Sequence, residues 1–119
     1  MYYNIIGDKM NEFKYCKVEI FTPKTHLDDL TEVFRKLDVG HIGNYSECIS
    51  YSEVISRWKS LNGSDPYIGK IGKLTEEKEL KVEVTCEIEI VDSLIQEIKK
   101  VHPYEEPVIN VIPLYKIGI

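Results

Sequence analysis

Two short runs hold the residues that could do chemistry. "HPYEEP" (His102–Pro107) sets an imidazole a few residues before a pair of carboxylates. "GHIGNYS" (Gly40–Ser46) sets His41 between two glycines, ahead of Asn44 and Tyr45. Histidine titrates near neutral pH, so His102 with Glu105 or Glu106 could form an acid–base pair or ligate a divalent metal. Gly43 and Asn44 could offer N–H groups to a small anion. Each run also has a plainer reading. Pro103 and Pro107 bracket a rigid turn in which Tyr104 packs and one carboxylate caps or pairs. Adjacent Glu105 and Glu106 point opposite ways on an extended chain, so only one faces any given site. In "GHIGNYS" the glycines suit positive φ, Asn44 suits an Asx-type turn, and His41 bonds backbone. A packing or subunit-interface role is the reading adopted for both runs. Tyr67, in the loop "DPYIGKIG", completes the candidate ligand or interface set of His41, Asn44, Tyr45, Tyr67, His102, Tyr104, Glu105 and Glu106.

Other chemical signals are missing. No C-x-x-C or H-x-x-x-H spacing makes a zinc site. No G-x-G-x-x-G or phosphate-loop motif is present, and no nucleophile–base motif. The expectation is a non-enzymatic protein with no catalytic residues and no resident cofactor, with divalent-metal binding as the alternative. The 119 residues carry a net charge of −5 from 15 basic and 20 acidic side chains. No Lys/Arg block stands out, so nucleic acid is not an expected partner. No apolar run approaches the roughly 20 residues that span a membrane. The N-terminus does not read as a signal peptide. Three widely spaced cysteines fit a reducing cytoplasm better than a disulfide framework.

The elements that must position these residues read clearly from periodicity. The chain is long enough for one domain. Residues 1–13 read as an N-terminal extension, in which Met10 is a candidate initiator, and 14–115 as the domain. Cys16, Val18 and Ile20 alternate with Tyr15, Lys17, Glu19 and Phe21 up to Thr22, which is a half-buried strand. Leu27, Leu30, Val33, Phe34 and Leu37 recur at helical spacing, with Gly40 placed to cap the C-terminus. "YSECISYSEVISRWKS" is rich in serine and β-branched residues and reads as strand rather than helix. "NGSDPYIGKIG" is loop. "KELKVEVTCE" turns Leu80, Val82, Val84 and Cys86 inward. Val91, Leu94, Ile95, Ile98 and Val101 form a second helix, stopped by Pro103. "PVINVIPLY" is a last strand. The order strand, helix, strand, strand, helix, strand is the ferredoxin-like α+β pattern, with both helices on one face of a four-stranded antiparallel sheet and an extended β2–β3 hairpin. Following the chain up and down puts "GHIGNYS" at one end of the sheet. "HPYEEP" and "GSDPYIGKIG" fall at the other. His41 and His102 therefore cannot share a metal within one subunit. The expected core is Val18, Ile20, Leu30, Phe34, Val82, Val84, Ile95 and Ile98.

"GHIGNYSEC", "DPYIGKIGKL" and "HPYEEPVINVIPL" occur in this order. Together they resemble the inserted middle domain of YqfO-type proteins, the family labelled dinuclear-metal-centre or GTP cyclohydrolase I type 2-like. The resemblance covers roughly Lys14 to Leu114, and the chain reads as that insert on its own. "HPYEEP" followed by an apolar strand is also similar to the end of CutA, a trimeric relative in the PII-like group. That similarity implies a ferredoxin-like, CutA/PII-like fold and a homotrimer, and the function expected is that of an oligomeric module binding a small effector or metal between subunits. In the longer YqfO-type proteins the metal ligands belong to flanking domains, so the dinuclear centre does not transfer, and cyclohydrolase or hydrolase activity is the weakest reading. The family tends to have glycines where this chain reads "EVISRW" (Glu53–Trp58), which leaves the hairpin's bulge and register open.

Overall fold

The computed structural model describes Glu12–Gly118. The Met10 start and most of the extension over residues 1–13 lie outside the described residues. Strand β1 (Tyr15–Thr22) leads through a 3-10 turn (Lys24–His26) into helix α1 (Leu27–Leu37). The long strands β2 (Ile49–Lys59) and β3 (Leu74–Glu87) follow. A second 3-10 turn (Ile88–Ile90), helix α2 (Val91–Val101) and strand β4 (Ile109–Leu114) complete the chain. The sheet order is β2-β3-β1-β4, with every neighbouring pair antiparallel. This is the expected ferredoxin-like α+β architecture.

The register explains why one face of the sheet is core. Cys16, Val18 and Ile20 lie opposite Cys86, Val84 and Val82. All six are buried together with Leu30 and Phe34 of α1 and Leu94 and Ile98 of α2. Burying one such side chain contributes roughly 1.5–3 kcal/mol. Ile95, expected in the core, is only half-buried, and Leu94 takes the innermost position. The helix is turned so that Val91, Leu94 and Ile98 face the sheet and Ile95 lies on the flank. Cys16 and Cys86 are core thiols 3.6 Å apart, and Cys48 is half-buried at the start of the hairpin. Pro113 is tolerated because β4 is an edge strand, where a missing N–H costs no ladder bond.

The hairpin is regular. Ile49 to Lys59 pair continuously with Val84 to Leu74, so "EVISRW" contains no bulge. Strand β3 begins earlier than its alternation suggested, because residues 74–77 pair with Ser56–Lys59. One expectation fails at the end of α1. Asp38, not Gly40, takes the left-handed cap, at φ 51° and ψ 41°. Aspartate tolerates that region because its short polar side chain bonds locally. Gly40 also has positive φ, +76°, for a different reason. Its N–H donates to Thr85 O at 3.0 Å and its carbonyl accepts from Cys48 N at 2.9 Å. A Cβ there would stand 2.8 Å from Cys48 O. No helix of the described residues is long and apolar enough to cross a membrane.

Candidate ligand site

The topology divides the candidate residues into two groups at opposite ends of the sheet. The lower group is "GHIGNYS", between α1 and β2. Ile42 and Tyr45 exchange backbone hydrogen bonds at 2.8 and 3.0 Å, closing a tight turn around Gly43 at φ +58°. His41 serves that turn. Its Nε2 donates to Gly43 O at 2.9 Å, and its Nδ1 lies 3.2 Å from the Asp38 carboxylate. Both nitrogens face acceptors, so the imidazolium is favoured. The Asp38 carboxylate first, and the Gly43 carbonyl second, raise the His41 pKa above its ordinary value. Asn44 and Tyr45 project into solvent, Tyr45 being 75% exposed. A depression beside the turn is walled largely by residues 37–43, with Tyr15 and Cys86 opposite.

The upper group is assembled from three separate segments. Strand β1 ends beneath His102, whose Nε2 donates to Phe21 O at 2.7 Å. His102 Nδ1 accepts the Tyr104 backbone N–H at 3.1 Å. One nitrogen must donate and the other accept, so the ring is the neutral Nε2–H tautomer. His102 is only 7% exposed. Burial lowers its pKa, against the opposing pull of the Phe21 carbonyl. The ring acts as a strut that ties the "HPYEEP" turn to β1 and sets Tyr104 beside it, with ring centroids 4.9 Å apart.

Tyr104 faces the hairpin. Its hydroxyl donates a short hydrogen bond to Glu79 Oε2. Burial, reinforced by that carboxylate, pushes the phenol pKa well up. Its ring lies 5.9 Å from Trp58 and 6.1 Å from Tyr67, tilted by 51° and 49°. Tyr67 arrives from the 60–73 loop, which is anchored by Gly72 N to Ser60 O at 2.7 Å. Glu105 Oε2 accepts the Asp65 N–H at 2.6 Å and ties the same loop to the "HPYEEP" turn. Tyr67, Tyr104, Glu105 and Glu106 thus surround one cavity of about 520 Å³. His102 stands behind it as support. Periodicity did not single out Glu79. Glu79 shares a pleat face with Lys81 and Glu83, and only Tyr104, far along the chain, makes it different.

No protein-family model matches the sequence. Over 102 residues the chain is 37% identical to the GTP cyclohydrolase 1 type 2 homolog of Halalkalibacterium halodurans, covering 86% of this chain and 27% of that protein. The chain is homologous to one segment of the GTP cyclohydrolase 1 type 2 homologs. A homolog from Bacillus subtilis is 32% identical over 82% of the chain and 26% of its own length. The chain therefore spans about a quarter of the length of these curated relatives. The solved Bacillus cereus protein related to NIF3 superposes with a TM-score of 0.76 at 29% identity, over 87% of this chain and 26% of that one. CutA from Archaeoglobus fulgidus superposes with a TM-score of 0.65 at 17% identity, over 86% and 85% of the two chains. At that identity the likeness establishes the CutA-like fold alone. In this chain the matched segment folds as a four-stranded ferredoxin-like sheet with two helices.

Proposed function

We propose that this chain is a non-catalytic assembly module, a homo-oligomer with a trimer favoured, that holds a small molecule at the upper cavity. The observation that carries the assembly is the long hairpin. Tyr51, Ile55 and Leu74 are 56%, 68% and 58% exposed, and among the described residues β2 and β4 are the two edges of the sheet. Exposed apolar strand edges invite pairing with another chain. His41 and His102 support a non-catalytic role. His41 has both nitrogens engaged within its own turn, and His102 is buried between two main-chain groups. The activity named for the relatives belongs to proteins three to four times this length and is not assigned to this chain. A cytoplasmic setting suits the paired core thiols, since a reducing compartment keeps Cys16 and Cys86 unbridged.

Light scattering at micromolar concentration tests the assembly. The expected mass is three times that of the chain, and Ile55→Asp should lower it without loss of thermal stability. A monomeric wild type overturns this reading. A second reading, divalent-metal binding, draws on the name of a fold relative, the periplasmic divalent cation tolerance protein CutA. Ligands would have to come from two subunits, because His41 and His102 lie at opposite ends. Metal analysis of the purified oligomer separates the two: stoichiometric metal favours the second.

A further inference from the structure

We propose that the upper cavity binds a small organic cation, a primary or quaternary ammonium group, between Glu79 and the rings of Trp58, Tyr67 and Tyr104. The proposal rests on the reading of that cavity as the small-molecule site and names the class of ligand.

Glu79 is the unusual residue. It lines the cavity, yet it is only 3% exposed. Among the described residues its one side-chain hydrogen-bond donor is the Tyr104 hydroxyl, and no Lys, Arg or His lies in ion-pair contact with it. A buried carboxylate is costly unless paired with a cation, and a single phenol offsets only part of that cost. The other charges lining the cavity do not supply the missing partner. Arg57 turns to Glu76 at 3.6 Å, Lys59 is exposed, and Glu105 and Glu106 add negative potential.

The walls match the same class of ligand. Trp58 and Tyr67 each stand at about 50° to Tyr104, which neighbours both. Aromatic rings attract a cation through their negative faces, and they do so most strongly where water is displaced. The volume of about 520 Å³ falls in the ordinary range for small-molecule sites. Tyr67 is 56% exposed and marks the mouth, while Glu79 marks the floor.

Trp58 is the only tryptophan, so its emission reports the site directly. The probes are choline, its neutral isostere with a tert-butyl group in place of trimethylammonium, acetate, and magnesium and zinc chloride. The expected result is a saturable change with choline, roughly tenfold weaker with the isostere. Glu79→Gln should weaken choline by a similar factor. Tyr67→Ala, at the exposed mouth, should do the same in a protein whose melting point is unchanged, which guards against a folding defect in the buried variant. If the isostere or acetate binds as well as choline, the cavity remains the ligand site and the assignment to cations is wrong. If zinc or magnesium saturates the signal and choline does not, the site is a metal site and the proposal falls. If no probe changes Trp58 emission in the folded oligomer, both the proposal and the cavity's role as ligand site fall.

Discussion

His41 and His102 each follow a helix, and each bonds a main-chain oxygen through Nε2, Gly43 O in one case and Phe21 O in the other. The difference lies at Nδ1. His41 Nδ1 meets the Asp38 carboxylate, and His102 Nδ1 meets the Tyr104 N–H. An acceptor at both nitrogens favours the imidazolium. A donor at one of them forces the neutral ring. Two histidines that each follow a helix are thus set in opposite electrostatic regimes, one exposed with its pKa raised, the other buried with its pKa lowered. The lower end uses its histidine to close a turn on itself. The upper end uses one to join three segments around a cavity.

The comparison can be broken most strongly at the backbone. Gly40→Val forces a branched side chain into positive φ and against Cys48 O. It should cost on the order of 3 kcal/mol or more and leave little folded protein on a denaturant curve. His102→Ala should come next. It orphans the Phe21 carbonyl and the Tyr104 N–H in a buried setting, at about 2–4 kcal/mol by chemical unfolding. It should also loosen the cavity, seen as altered Trp58 emission. Gly43→Val has the same kind of φ but open space around the new Cβ, so strain alone applies and about 1–2 kcal/mol is expected. Equal losses at Gly40 and Gly43 would mean that the contact with Cys48 is not what fixes Gly40.

Titration sharpens the contrast without large changes in stability. The folded pKa of His102 is lowered by burial. Its contribution is fully present above the unfolded value of about 6.5, and is lost as pH falls from there through the lowered folded value. His102→Ala should therefore flatten the loss of stability as pH falls below about 6.5. The folded pKa of His41 is raised by Asp38. Its contribution is fully present below about 6.5 and is lost as pH rises through the raised folded value. His41→Ala should have the smallest effect of the set, greatest below about pH 6.5 and fading as pH rises through the raised folded value, because the ring is exposed and salt-screened.

Much of this was legible in residue spacing. The alternation of Cys16, Val18 and Ile20 and the helical spacing of Leu30, Val33 and Phe34 gave the layers. The chain direction alone put His41 and His102 at opposite ends. The rest depended on contacts that spacing does not encode. Asp38 and Gly40 are both acceptable helix ends, and the approach of Cys48 decided between them. Ile95 and Leu94 are adjacent apolar residues, separated only by the helix's rotation over the sheet. Glu79 reads like its neighbours Glu77 and Glu83 until the Tyr104 ring covers it. The candidate residues were found, but their grouping into a turn and a cavity needed the fold.

The most direct test of the contrast is a side-chain NMR titration of the imidazole resonances, assigned with His26→Gln, His41→Ala and His102→Ala variants. His41 should titrate above the ordinary histidine value of about 6.5, and His102 below it, as the Nε2–H tautomer, until the protein unfolds. If His102 titrates at or above His41, or carries its proton on Nδ1, the upper strut does not exist as described and the two ends are not the opposites drawn here.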